Sequence, residues 1–173
     1  MKLAEAQHLA AKIEHELLPF CSRIAVAGSI RRERAEVNDI DLVLIPKAGL
    51  KPIVDRVTAK WRQVAGVKSD ARNLRFVSPT GFQLDIFIAH DDVEDLVSST
   101  PSNWGAVLLC RTGSLIHNTQ LCAHALLKGL KFAPYRGVLD HNTDKIIGSR
   151  TEEEIYGALG LKWREPRERE TLV

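Results

Sequence analysis

The most constraining feature of this chain is Asp39-Ile40-Asp41 running straight into the apolar stretch Leu42 to Ile45, which Pro46 closes. A run of this length and composition reads as a buried strand, and side chains alternate between the two faces of a strand. Asp39 and Asp41 therefore share one face, and Ile40 lies on the other. Two neighbouring carboxylates repel unless a cation joins them. Any fold that buries this strand must give its acidic face a purpose.

The surrounding pattern is that of an α+β protein. Leu3, Ala6, Leu9, Ala10, Ile13 and Leu17 recur at helical spacing, predicting an amphipathic helix over residues 2–18 that Pro19 ends. Ile24 to Ala27 is a short apolar run broken by Gly28-Ser29, expected to pair with the strand at 40–45 in one sheet. Residues 51–64 read as a helix with Ile53, Val54, Val57 and Trp61 on one face. Leu74 to Val77 and Gln83 to Ala89, separated by Pro79-Thr80-Gly81, read as an antiparallel hairpin. Beyond His90 an acidic and polar stretch, residues 91–103, leads to helices at 103–111 and 114–128 ending at Gly129. A β-rich segment follows around 130–150, and Thr151-Glu-Glu-Glu154 opens a last helix as a capping box. This texture predicts two lobes, residues 1–95 and 96–173.

Composition narrows the class. With 45% hydrophobic and 27% charged residues among 173, the chain can bury a real core, and its net charge of +2 does not by itself announce nucleic acid. No stretch approaches the roughly 20 apolar residues of a membrane helix, and the N-terminus lacks a signal-peptide layout, so no membrane partner and a cytosolic or otherwise intracellular setting are expected. The three cysteines, Cys21, Cys110 and Cys122, have neither disulfide nor zinc spacing and read as small hydrophobes. Lys162, Arg164, Arg167 and Arg169 alternate with Glu165, Glu168 and Glu170, which suits either a salt-bridged surface or a phosphate contact. His8 and His15 read as solvated, Trp61, Trp104 and Trp163 as core or junction residues, and His117 as either exposed or near a ligand.

A third acid completes the candidate site. Asp85 stands between Leu84 and Ile86 in a strand expected in the same sheet as Asp39 and Asp41. Three converging carboxylates are hard oxygen ligands suited to Mg²⁺, with Mn²⁺ able to substitute. Two such ions, roughly 4 Å apart, can clamp the attacking and leaving oxygens at phosphorus. Gly28 lets backbone amides approach a triphosphate, Ser29 adds a hydroxyl, and Arg32 can neutralise phosphate charge.

These residues carry a family resemblance. Gly28-Ser-Ile-Arg-Arg-Glu-Arg-Ala-Glu-Val-Asn-Asp-Ile-Asp41 resembles the signature of the X-family DNA polymerases, the group of polymerase beta. Thr112-Gly-Ser-Leu-Ile-His-Asn118, followed by His124-Ala-Leu-Leu-Lys-Gly129, is similar to that family's thumb, and Trp163-Arg-Glu-Pro-Arg-Glu-Arg169 to its closing motif. The resemblance spans roughly residues 20–170. It implies a nucleotidyltransferase palm with a mixed or antiparallel sheet plus a small α+β thumb, acting as a monomer on a DNA primer-template and a nucleoside triphosphate. Asp39, Asp41 and Asp85 would hold the metal ions, and Gly28, Ser29 and Arg32 the triphosphate. Thr112, Gly113 and Ser114 would border the sugar and Asn118 the base edge. Only one short helix precedes the Gly-Ser turn, so palm and thumb without lyase and fingers domains are expected.

The same comparison marks departures. Cys110-Arg111 replaces an aromatic pair beside the sugar, Cys122 a basic residue at the template, and Gln83 a basic residue two positions before Asp85. Loose template reading and low fidelity in gap-filling repair are the expectation. The alternatives are a nucleotidyltransferase acting on RNA, protein or a small molecule, or a non-catalytic DNA-binding subunit.

Overall fold

The structure is a computed structural model and describes residues 1–65, 72–94 and 99–170. It divides into two compact units, Met1–Ile88 and Ala89–Val173.

The first unit begins with α1 (Leu3–Leu17), whose buried stripe is Ala6, Ala10, Ile13 and Leu17. Pro19 turns the chain through a short 3-10 segment into β1 (Cys21–Val26). The short helix α2 (Gly28–Arg31) and the strand β2 (Asp39–Pro46) follow, then α3 (Lys51–Thr58), β3 (Arg62–Ala65), β4 (Asn73–Val77) and β5 (Gln83–Ile88). The five strands form one sheet in the order β1-β2-β5-β4-β3. Its central pair, β2 and β5, is parallel and all other neighbours are antiparallel, so the sheet is mixed.

Alternation along β2 does what the sequence requires. Ile40, Leu42 and Leu44 join Leu74, Phe76, Leu84 and Ile86 in one core with the apolar stripes of α1 and α3. Burying each such side chain contributes roughly 1.5–3 kcal/mol, and this commits the opposite face of β2 to Asp39 and Asp41. The 78–82 turn closes the expected hairpin, with the Ser78 N–H donating to the Phe82 carbonyl.

The helix expected over 51–64 is shorter. It ends at Thr58, where the Thr58 hydroxyl donates back to the Val54 carbonyl and the N–H groups of Lys60 and Trp61 both close on Val57. Trp61 still packs on the core from this closing turn, which is why the helical period ran past the helix itself. The chain then extends, and β3 pairs with β4.

In the second unit, β6 (Val93–Glu94) and β7 (Ser99–Thr100) pair as a short ladder ahead of α4 (Trp104–Thr112) and α5 (Leu115–Leu127). The three-stranded antiparallel sheet of β8 (Leu130–Ala133), β9 (Gly137–Asp140) and β10 (Ile146–Gly148) follows, then α6 (Glu152–Ala158). Ala106, Leu109, Leu121, Ala125, Val138, Ile155, Tyr156 and Leu159 form its core. The first N–H groups of α4 find the carbonyls of Arg150 and Ser149, which draws α4 onto the start of α6. A Cβ on Gly105 would lie 2.3 Å from the Thr151 carbonyl carbon, so only glycine permits that approach.

The compact units divide after Ile88, the expected boundary at 95 lies outside the described residues, and His90, Asp92, Ser102 and Asn103 are hydrogen-bonded within the second unit. His90 N–H donates to Asn103, Ser102 Oγ donates to the His90 carbonyl, and Asp92 pairs with Arg150 at 2.9 Å. Two expectations change here. Thr151 caps α6 by accepting from the Glu154 N–H, but Glu154 turns to the N–H groups of Ser149 and Arg150 and leaves the box half made. Arg169 is fully buried and forks onto Glu152 at 2.6 and 3.1 Å, with Tyr156 and Trp163 rings against it, so this member of the basic cluster is neither surface nor phosphate contact. His8 and His15 are exposed as expected, Trp104 is buried, and the three cysteines are free thiols.

Candidate active site

The carboxylates come together through the parallel register of the central strands. Asp41 lies directly opposite Asp85 and Asp39 opposite Gln83, so the alternation that puts Asp39 and Asp41 on one face brings Asp85 to the same face. One carboxylate oxygen from each of the three lies within 4.8 Å of the others. Asp85 is only 4% exposed. Burial, and then the charge of Asp85, push the Asp39 pKa above its ordinary value.

Gly28 is fitted to this cluster. Its φ is +60°, in the left-handed region, and an added Cβ would stand 1.9 Å from Asp41 Oδ2. The Ala27 N–H donates to the Asp41 carbonyl at 2.8 Å and fixes the turn against β2. Ser29 Oγ is buried and has no hydrogen-bond partner, an oxygen left for a group from outside. Arg32 is half-buried at the end of α2, its N–H donating to the Gly28 carbonyl. Three hard carboxylate donors beside a turn with no room for a side chain fit a divalent cation that retains substrate oxygens among its ligands.

Sequence reasoning missed Arg75. It lies opposite Asp85 on β4 and donates Nε to Oδ1 at 2.7 Å and Nη2 to Oδ2 at 2.9 Å. Gln83 Nε2 adds a bond to Oδ2 at 3.0 Å. The Asp85 hydrogen bond, and then its charge, raise the Arg75 pKa further. The signal was available, because a hairpin closed around Pro79 to Gly81 sets residue 75 against residue 85.

Thr112, Gly113, Ser114 and Asn118 belong to the second unit and form one packed turn. Thr112 is fully buried. Ser114 Oγ caps α5 by accepting from the His117 N–H and donates to the Glu170 carbonyl at 2.9 Å. Asn118 Nδ2 donates to the Cys110 carbonyl at 2.7 Å. A Cβ on Gly113 would sit 2.6 Å from both Asn118 Oδ1 and His117 Nδ1, so this glycine lets the turn close over the helix start. His117 is not exposed: it is fully buried, 2.7 Å from the Tyr156 hydroxyl, and burial pushes its pKa down to about 4. It supports the turn from beneath.

Two comparisons bear on this arrangement. Residues 107–170 match the DNA polymerase beta thumb family. The chain is also 27% identical over 168 residues to the repair DNA polymerase X of African swine fever virus, an alignment covering 93% of this chain and 90% of that protein.

Proposed function

We propose that the chain is an X-family DNA polymerase that adds nucleotides to a DNA 3′ end, filling gaps in repair with low fidelity, a reading supported by its likeness to the polymerase beta thumb family and to a viral repair DNA polymerase X. The observation that carries the reading is the convergence of Asp39, Asp41 and Asp85 beside a glycine that a methyl group would drive into Asp41. In this reading the three carboxylates hold Mg²⁺, or Mn²⁺ in its place. Bound divalent ions supply Lewis-acid stabilisation of phosphate oxygens and of the attacking 3′-oxygen.

The protein's own groups do the rest by position and charge, which is most of what nucleotidyl transfer asks of them. Gly28 gives the triphosphate close approach to backbone N–H groups, the unpartnered Ser29 hydroxyl donates to it, and Arg32 offsets its charge. Asp85 orients the primer 3′-hydroxyl and helps to draw off its proton. The Thr112-Gly113-Ser114 turn borders the sugar and Asn118 the minor-groove edge of the base. Half-buried thiols at Cys110 and Cys122 offer no charge to a template strand, which is the ground for low fidelity.

Extension of a gapped duplex with Mg²⁺ or Mn²⁺ and each triphosphate tests the proposal. Template-ordered filling of the gap is expected. Asp39→Ala and Asp85→Ala should each abolish it with the melting curve intact, and incorporation retained by either would overturn the assignment. Untemplated addition, or transfer to RNA, would keep the chemistry and change the acceptor.

A further inference from the structure

Both carboxylate oxygens of Asp85 are already taken by protein donors. Arg75 spans them as a fork, and Gln83 adds a third bond. A carboxylate offers about four lone-pair directions, so roughly one remains, on Oδ1. The ladder therefore reads Asp41, Asp85, Arg75 across three adjacent strands, with a permanent positive charge at its end.

The pair is neither sealed nor free. The Arg75 side chain is 44% exposed while that of Asp85 is 5% exposed, so the guanidinium stands at the rim of the cluster with its fork turned inward. A cation can thus use the remaining direction without expelling Arg75, but it does so beside a guanidinium that cancels one of three negative charges.

We infer that Arg75 is a built-in counter-ion of the carboxylate cluster, one that keeps divalent cations weakly held until a triphosphate brings further negative charge. The inference rests on the triad being the metal site. Arg75 acts through Asp85 and touches no reacting atom.

The test is a Mn²⁺ titration of the full chain without nucleotide, followed by electron paramagnetic resonance of free Mn²⁺. Removing a unit positive charge from within several ångströms of a dication should tighten binding roughly tenfold or more. Arg75→Gln, which keeps a donor for Asp85 but not the charge, should show that gain, and Arg75→Lys should stay within about threefold of the parent. Adding a non-hydrolysable triphosphate should then improve Mn²⁺ affinity less in Arg75→Gln than in the parent.

Unchanged or weaker binding by Arg75→Gln would overturn the inference, since an arginine that only aims Asp85 cannot produce tightening when removed. If Arg75→Gln melts early, Arg75→Met repeats the measurement with the aliphatic stem retained. Asp39→Asn in the parent separates the two levels. Mn²⁺ binding that survives Asp39→Asn would overturn the triad as metal site and the counter-ion with it. Binding lost in Asp39→Asn but not tightened in Arg75→Gln would overturn the counter-ion alone.

Discussion

Arg75 grips Asp85 through Nε and Nη2, and Arg169 grips Glu152 through Nη1 and Nη2, so a bidentate arginine–carboxylate pair is found in each unit. Their surroundings are opposite. Arg169 is fully buried, stacks near Tyr156 and Trp163, and spends further donors on the Arg164 carbonyl at 2.8 and 3.0 Å. Arg75 is nearly half exposed and faces two more carboxylates across the sheet. A fork closed on all sides is a structural clamp whose loss strands a buried charge. A fork open at one side is an electrostatic setting that an arriving cation can change.

The largest separation should come from breaking one partner of each pair. Asp85→Asn should lower gap filling by ~10³-fold or more with little change in melting temperature. Arg169→Met should instead cost about 3–5 kcal/mol of stability, because the buried Glu152 carboxylate loses the guanidinium that forks onto it, and thermal melting will show it. The double change Arg169→Met, Glu152→Leu should recover most of that loss; a double variant as unstable as the single one would mean the clamp's worth lies elsewhere.

Gly28→Ala comes next. A positive φ and a clash with Asp41 should cost about 1–3 kcal/mol and displace the carboxylate, so incorporation should fall further than stability alone explains. An active, normally stable Gly28→Ala would mean that the turn relaxes freely.

Proton linkage gives the smaller effects, and the two units should respond with opposite sign. His117 has a folded pKa of about 4 against an ordinary 6.5, so its contribution is complete above the unfolded value and is lost as pH falls through that window. The loss should be roughly 3 kcal/mol, visible as a falling melting temperature between neutral and acidic pH, and flattened by His117→Gln. Asp39 has a raised pKa, so the cation-free protein loses stability as pH rises through it. Asp39→Asn should remove that slope and modestly raise the melting temperature in chelator. No such gain would mean that the acids do not repel measurably.

Much of this was legible in the sequence wherever the signal was local. Alternation around Ile40 fixed the acidic face of β2, the stripe from Leu3 to Leu17 gave α1, and Pro79-Thr80-Gly81 gave the hairpin. That Asp39, Asp41 and Asp85 would share a sheet was readable too, though the parallel register of β2 and β5 was not, since it depends on a crossover with no local signature. The overlong helix at 51–64 arose because Trp61 packs like one more helical turn from a chain already turning into β3. Arg169 and His117 misled for a shared reason. Both are polar types usually found outside, and their burial depends on Glu152 and Tyr156, partners remote along the chain.

The parallel register of β2 and β5 has a further consequence for how the chain finds its fold. Slipping either strand by one residue would turn its acids inward among Leu74, Phe76 and the stripes of α1 and α3. Each misplaced carboxylate would face several kcal/mol of desolvation with no partner. The acids therefore act as alignment marks during assembly: a sheet closed out of step is rejected by the same charges that, closed in step, make the site.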